Sequence, residues 1–252
     1  MGLFAAKPPV SEDEFDWLVA CFAWLRLILD DTNRQIDCVL PDDARLEAAQ
    51  TAGALFDIVR VHCDMADWPV ELAKIEDDFQ ATDIREVRDQ NGPLGTFSTD
   101  GQATVIHYST ALLRNPDALT ATFAHELAHY LLEGRGDPPG GADLLEHATD
   151  CAAVYLGFGV FLANSARHFE QFTDGEWSGW RSSASGYLSE QALVCATALA
   201  AALNGHDTSA IEAQLKPYLR SDFRKARKAI ARKYPTLGEA LATIEKLAWN
   251  YD

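Results

Sequence analysis

His125-Glu126-Leu127-Ala128-His129 constrains this 252-residue chain more than any other stretch. It reads H-E-x-x-H inside a segment, Leu119 to Glu133, that the apolar spacing predicts to be a helix. Residues four apart share a helix face. The two imidazoles therefore project to one side, about 6 Å apart along the axis, which suits two nitrogens of a tetrahedral Zn²⁺ site. Glu126 is offset around the helix, placed to reach a water on such an ion and not the ion itself. Metal-assisted hydrolysis of an amide needs this pattern. The rival reading is a surface helix with two solvated histidines. Against it stand the surrounding Leu119, Phe123, Leu127, Tyr130 and Leu131, and the small Ala128, which lets another element pack close.

After this helix, Gly134-Arg135-Gly136-Asp137-Pro138-Pro139-Gly140-Gly141 stops the chain from continuing helically. A second helix is predicted from about Ala142 to Asn164, buried by Ala152, Val154, Leu156, Phe158 and Phe161. Glu146 and Asp150 lie one turn apart on it and share a face. A carboxylate on a buried helix needs a partner, and a divalent cation is one.

With these residues the chain resembles the gluzincin branch of the zinc metallopeptidases, in which a glutamate ligand follows H-E-x-x-H on a second helix. Glu146-x-x-Thr149-Asp150 is similar to the E-x-x-A-D segment of CAAX-type and HtpX-type endopeptidases, with Thr149 where alanine is usual. It is similar, less closely, to the E-x-E-A-x segment of soluble ImmA-like peptidases. The resemblance spans roughly residues 102–165. It implies one Zn²⁺ per chain held by His125, His129 and Glu146, with Glu126 as general base. It also implies that Asp150 accepts the remaining ring N–H of a ligating histidine. Asp150 as the third ligand itself stays open. His147 points about 100° away from Glu146 and reads as an ordinary helix-surface histidine. The metzincin pattern is absent, since Leu132 and Arg135 stand where it needs glycine and histidine.

The stretch Gln90 to Ser109 has β character around the turn signals Asn91-Gly92-Pro93 and Thr99-Asp100-Gly101. It predicts a small antiparallel sheet before the metal helix. By the resemblance, Val105–Ser109 is the edge strand that pairs with an extended substrate, so Val105 and His107 are candidate substrate-binding residues. A donor for the oxyanion is also required. Tyr187 is the choice among Tyr187, Arg181, His107 and His168, because it lies in a glycine-containing segment just outside a helix.

Elsewhere, Ser11 with Glu14 reads as a capping box opening a helix to about Leu29, and Asp42 or Asp43 opens another through Val61. The expected fold is α+β and predominantly helical. It has a zincin-like core, a small antiparallel sheet beside the H-E-x-x-H helix, and additional packed helices. One zincin-like domain is expected, with 1–88 an N-terminal helical part, 89–165 the metal-binding core and 166–252 a C-terminal helical part.

The net charge of −17 disfavours nucleic acid as the main partner. The basic run Arg220, Arg224, Lys225, Arg227, Lys228, Arg232 and Lys233 is the local exception, read as the solvated face of a helix. No apolar run approaches the ~20 residues of a membrane span, and the start of the chain does not read as a secretory signal. Five scattered cysteines without a C-x-x-C pair point to a reducing cytoplasm. The expected activity is a metallopeptidase acting on a peptide or protein, with no nucleic-acid or membrane partner. Two alternatives are a zinc protein of the same fold without hydrolysis, and a scaffold using Trp17, Trp24, Trp68, Trp177, Trp180 and Trp249.

Overall fold

A computed structural model describes residues 7–29, 35–75, 95–99, 104–170 and 187–243, with 95–99 and 167–170 described by their backbone alone. Helices dominate it. The first, α1 (Glu12–Ile28), is capped by Ser11, whose hydroxyl accepts from the Glu14 amide at 3.1 Å. Glu14 does not stay at the surface as a capping-box residue would: its side chain turns inward, and burial pushes its carboxyl up to about 7.

The predicted helix from Asp43 through Val61 is two helices. α2 (Ala44–Glu47) ends early, and α3 (Ala52–His62) restarts from Thr51, whose hydroxyl accepts from Ala54 N–H. A new cap interrupted a periodicity that read as continuous.

The sheet is mixed, which corrects the antiparallel expectation. β1 (Val70–Ile75) runs parallel to β3 (Thr104–Ser109), and β2 (Gly95–Thr99) pairs antiparallel on β3's other side. β3 is therefore the central strand. Parallel pairing joins segments distant in sequence, and local turn signals cannot announce it.

A 3₁₀ turn, Thr110–Arg114, leads into α4 (Pro116–Leu132), the helix of the H-E-x-x-H motif. Asn115 caps it through Ala118 N–H at 3.2 Å, with proline at the first helical position. Phe123 on α4 is fully buried, edge-on to Phe56 of α3 (5.2 Å) and Tyr108 of β3 (5.7 Å). Burying such a ring contributes about 1.5–3 kcal/mol, and here it seats the helix between α3 and the sheet.

The predicted continuous helix from Ala142 to Asn164 is broken. It consists of a 3₁₀ turn (Ala142–Leu144), α5 (Leu145–Ala153), a π-type turn (Val154–Phe158), and α6 (Gly159–Glu170). The break lies at Gly157, with φ +101°, where a Cβ would stand 2.2 Å from the carbonyl oxygen of Asp37. Val39 N–H donates to the Gly157 carbonyl at 3.0 Å. Only glycine admits both that backbone angle and that approach.

Ser189 caps α7 (Glu190–Asn204), which packs along α6. α8 (Thr208–Gln214), α9 (Arg220–Lys233) and α10 (Leu237–Thr243) complete the described chain. The buried apolar residues of α1 and of α3 to α10 form one contiguous core. Among the described residues no helix is long and apolar enough to cross a membrane.

Candidate metal centre

α4 and α5 bring the motif residues together. The loop between them is held at two points. Trp17 Nε1–H donates to the Pro139 carbonyl at 2.8 Å, and Arg135 donates to the Ile28 carbonyl at 3.1 Å. Gly134, at φ +70°, turns the chain out of α4. α1 thus fixes where α5 begins, and with it the position of Glu146 opposite α4.

Three atoms converge. His125 Nε2 and His129 Nε2 are 3.0 Å apart, and Glu146 Oε2 lies 3.5 Å from the first and 3.2 Å from the second. A tetrahedral ion with arms of about 2.0–2.2 Å has edges of about 3.3–3.6 Å. The triangle is close to one face of that tetrahedron. Among the described residues this is the group of histidines and acids that could hold a metal ion.

The other ring nitrogens show what the triangle requires. His125 Nδ1 is 2.9 Å from Asp150 Oδ1, and the buried carboxylate can only accept, so Nδ1 carries the proton. Asp150 Oδ2 accepts from Leu188 N–H at 2.8 Å, so both its oxygens are used by protein donors. His129 Nδ1 is 3.4 Å from the Thr149 hydroxyl oxygen, and that hydroxyl donates its own proton to the Leu145 carbonyl at 2.9 Å. With both Nδ1 atoms acting as donors, two Nε2 lone pairs and a carboxylate oxygen face one point. Only positive charge reconciles them. A proton bridges one pair, whereas a divalent ion satisfies all three.

The electrostatics agree. Burial alone would raise the Glu146 carboxyl, but the adjacent imidazoles of His125 and His129 outweigh it and hold the group well below the usual range. Burial alone would lower His125, yet Asp150 and Glu146 hold it well above its ordinary value. Glu126 is enclosed beside the triangle and 2% exposed, with no hydrogen-bond partner for Oε2. Burial raises its carboxyl despite the nearby histidines. An orphaned carboxylate oxygen there fits a small polar ligand or a water on a metal. The donor set of two imidazoles and a carboxylate, with its orienting partners, fits Zn²⁺. The centre meets solvent over Glu146, whose side chain is 32% exposed against 5% for His125.

Of the sequence candidates, His125, Glu126, His129, Glu146 and Asp150 meet at this point. Asp150 stands behind His125, with both oxygens occupied, and Glu146 supplies the converging oxygen. Tyr187 joins them, its ring 5.1 Å from that of His125. Val105 and His107 do not lie on the expected edge strand. Both lie on the central strand, with Val105 paired to Glu71 and Ser98, and His107 to Ala73 and Thr96. β3 has no open edge for strand addition. His147 is buried edge-on against Trp17 at 6.1 Å rather than exposed, because its side of α5 faces α1. The side chains of Arg181 and His168 lie outside the described residues, as do Trp177, Trp180 and Trp249; Trp17 and Trp24 are buried. Two residues at the centre escaped the sequence reading as contributors: Thr149, noted only as a departure from alanine, and Leu188, whose amide carries no side-chain signal.

The chain matches no protein-family model, and neither a curated protein nor a solved structure matches it.

Proposed function

We propose that this protein is a zinc-dependent hydrolase of peptide bonds, with a single centre formed by His125, His129 and Glu146 in a zincin-like core. One observation carries the reading: three ligand atoms within 3.0–3.5 Å of one another beside a buried carboxylate, Glu126, with an unpartnered oxygen. A purely structural zinc site closes its fourth position with a protein ligand and has no use for such an acid.

Zinc, when bound, supplies Lewis acidity and lowers the pKa of a water in its open position. Glu126 takes the proton of the attacking water and delivers it to the leaving amine nitrogen, serving first as base and then as acid. Asp150 keeps the proton on His125 Nδ1, so that Nε2 presents its lone pair. Tyr187, beside the His125 ring, is the candidate donor to the oxyanion of the tetrahedral intermediate. The substrate is a peptide or protein, and the low cysteine pairing favours a reducing compartment such as the cytoplasm.

The test is the metal content of the purified chain by elemental mass spectrometry, followed by Glu126→Gln in a peptide-hydrolysis screen. About one zinc per chain is expected, with the variant keeping the metal and losing on the order of 10²–10⁴-fold in rate. Zinc bound by a wild-type chain that hydrolyses nothing would favour a non-hydrolytic metal protein. No zinc uptake would overturn the centre.

A further inference from the structure

The two histidines are held from behind by different chemistry. Behind His125 stands a buried carboxylate, Asp150, at 2.9 Å. Behind His129 stands a hydroxyl, Thr149 Oγ1, at 3.4 Å from Nδ1. Thr149 is fully buried one residue before Asp150 on α5, so consecutive residues of one helix address both rings of the other.

The direction of the Thr149 contact is set by its second bond. Its single proton goes to the Leu145 carbonyl one turn back, at 2.9 Å. The lone pairs are what remain for His129, and they accept only if Nδ1 carries hydrogen. A hydroxyl tied down in this way acts as an acceptor of fixed position. It places the proton on Nδ1 and the lone pair on Nε2, which is the nitrogen that meets His125 and Glu146.

We propose that Thr149 is a positioning residue for the metal centre, fixing the tautomer and ring orientation of His129 as Asp150 does for His125. This rests on the reading of His125, His129 and Glu146 as metal ligands. It assigns a role to the position at which this chain departs from the alanine of the motif it resembles.

The test compares Thr149→Val, which keeps the shape and loses the hydroxyl, with Thr149→Ser, which keeps the hydroxyl. Zinc affinity is measured by competition with a chromophoric chelator, and the visible absorption of each cobalt(II)-loaded protein is recorded. The expected result is a loss of about tenfold in zinc affinity for valine, at the lower end of what such outer partners contribute. Its cobalt bands should be altered, and serine should restore both readouts. Thermal melting of the metal-free proteins should be alike, because a threonine hydroxyl bonded to the carbonyl four residues back adds little to a helix. Unchanged affinity and cobalt spectrum in the valine variant would overturn the inference while leaving the metal centre standing. Equal losses in valine and serine would also overturn it, since packing and not the hydroxyl would then matter. A wild-type chain that takes up neither zinc nor cobalt would overturn the metal centre, and this role with it.

Discussion

The molecule handles charge in opposite ways at its candidate metal centre and along α9. At the centre, His125, Glu126 and Asp150 are buried, with His129 and Glu146 against them; His125, His129, Glu146 and Asp150 lean on one another, while Glu126 keeps one unpartnered oxygen. Along α9 the apolar face (Phe223, Ala226, Ala229, Ile230) goes into the core, and the cations remain outside. There, partners are local and dispersed: Arg224 with Glu212, Lys225 with Asp222, Lys233 with Asp16 of α1, and Arg220 with the carbonyls of Ala213 and Leu215. The basic run thus reads as a solvated helix face. Water pays for charge on α9; at the centre only convergence can, because unpaired charge is intolerable away from solvent.

Removing a supporting group at the centre should have the largest effect. Asp150 accepts from two donors with two oxygens, and asparagine offers one oxygen and an amide that must face a donor. Asp150→Asn is expected to lower zinc affinity 10- to 100-fold in a chelator competition. A change of less than twofold would mean that the buried carboxylate is not coupled to the ligand it touches.

Protons should compete with metal at the same place. In the metal-free protein burial works against the charged form of His125, but Asp150 and Glu146 prevail and its pKa lies above the ordinary value. Metal must displace that proton. Zinc affinity is therefore expected to be flat at pH above the raised value and to fall about tenfold per pH unit below it, beginning above the ~6.5 of an ordinary histidine. Asp150→Asn should move the onset to lower pH. Competition titrations between pH 6 and 9 check this, and an onset at or below the ordinary histidine value would contradict the coupling.

A smaller effect belongs to Glu14, a buried acid away from the ligand triangle. Burial raises its carboxyl to about 7. The folded state then binds more protons than the unfolded one between the ordinary glutamate range and pH 7, so stability falls as pH rises through that window. Glu14→Gln should remove the fall, by at most roughly 3 kcal/mol at 1.36 kcal/mol per unit, less after solvent screening. A melting-temperature gain at pH 8 and none near pH 4 is expected. A gain of equal size at both would assign the effect to packing instead.

On α9 the expectation is the smallest. Arg224→Ala removes an exposed pair with Glu212 and should leave the melting temperature unchanged. A clear loss there would dissolve the contrast between the two regions.

Much of the centre was legible in the sequence because its information is local. Helical spacing alone puts His125 and His129 on one face, and Glu146 and Asp150 on another, and the apolar residues around them announce burial. The helix start at Ser11 was legible for the same reason, since a cap acts within three residues. The failures were long-range. Nothing near Gly157 in sequence says that Asp37 occupies the space beside it, so the helix read as unbroken. Nothing near Val70 says that it will pair in parallel with Thr104, so β3 read as an edge strand.

By itself, then, the sequence determined which side chains face the same way, because helical periodicity is a property of consecutive residues. It supplied the candidate ligand types, the order of the two helices and the stop between them. Tertiary structure decided how the faces meet: that Glu146 and not Asp150 completes the triangle, that Leu188 backs Asp150 and Thr149 backs His129, and that β3 is enclosed. Those outcomes depend on distances between segments far apart in the chain, and such distances are fixed only when the buried surfaces of α1, α4, α5 and α7 pack against one another.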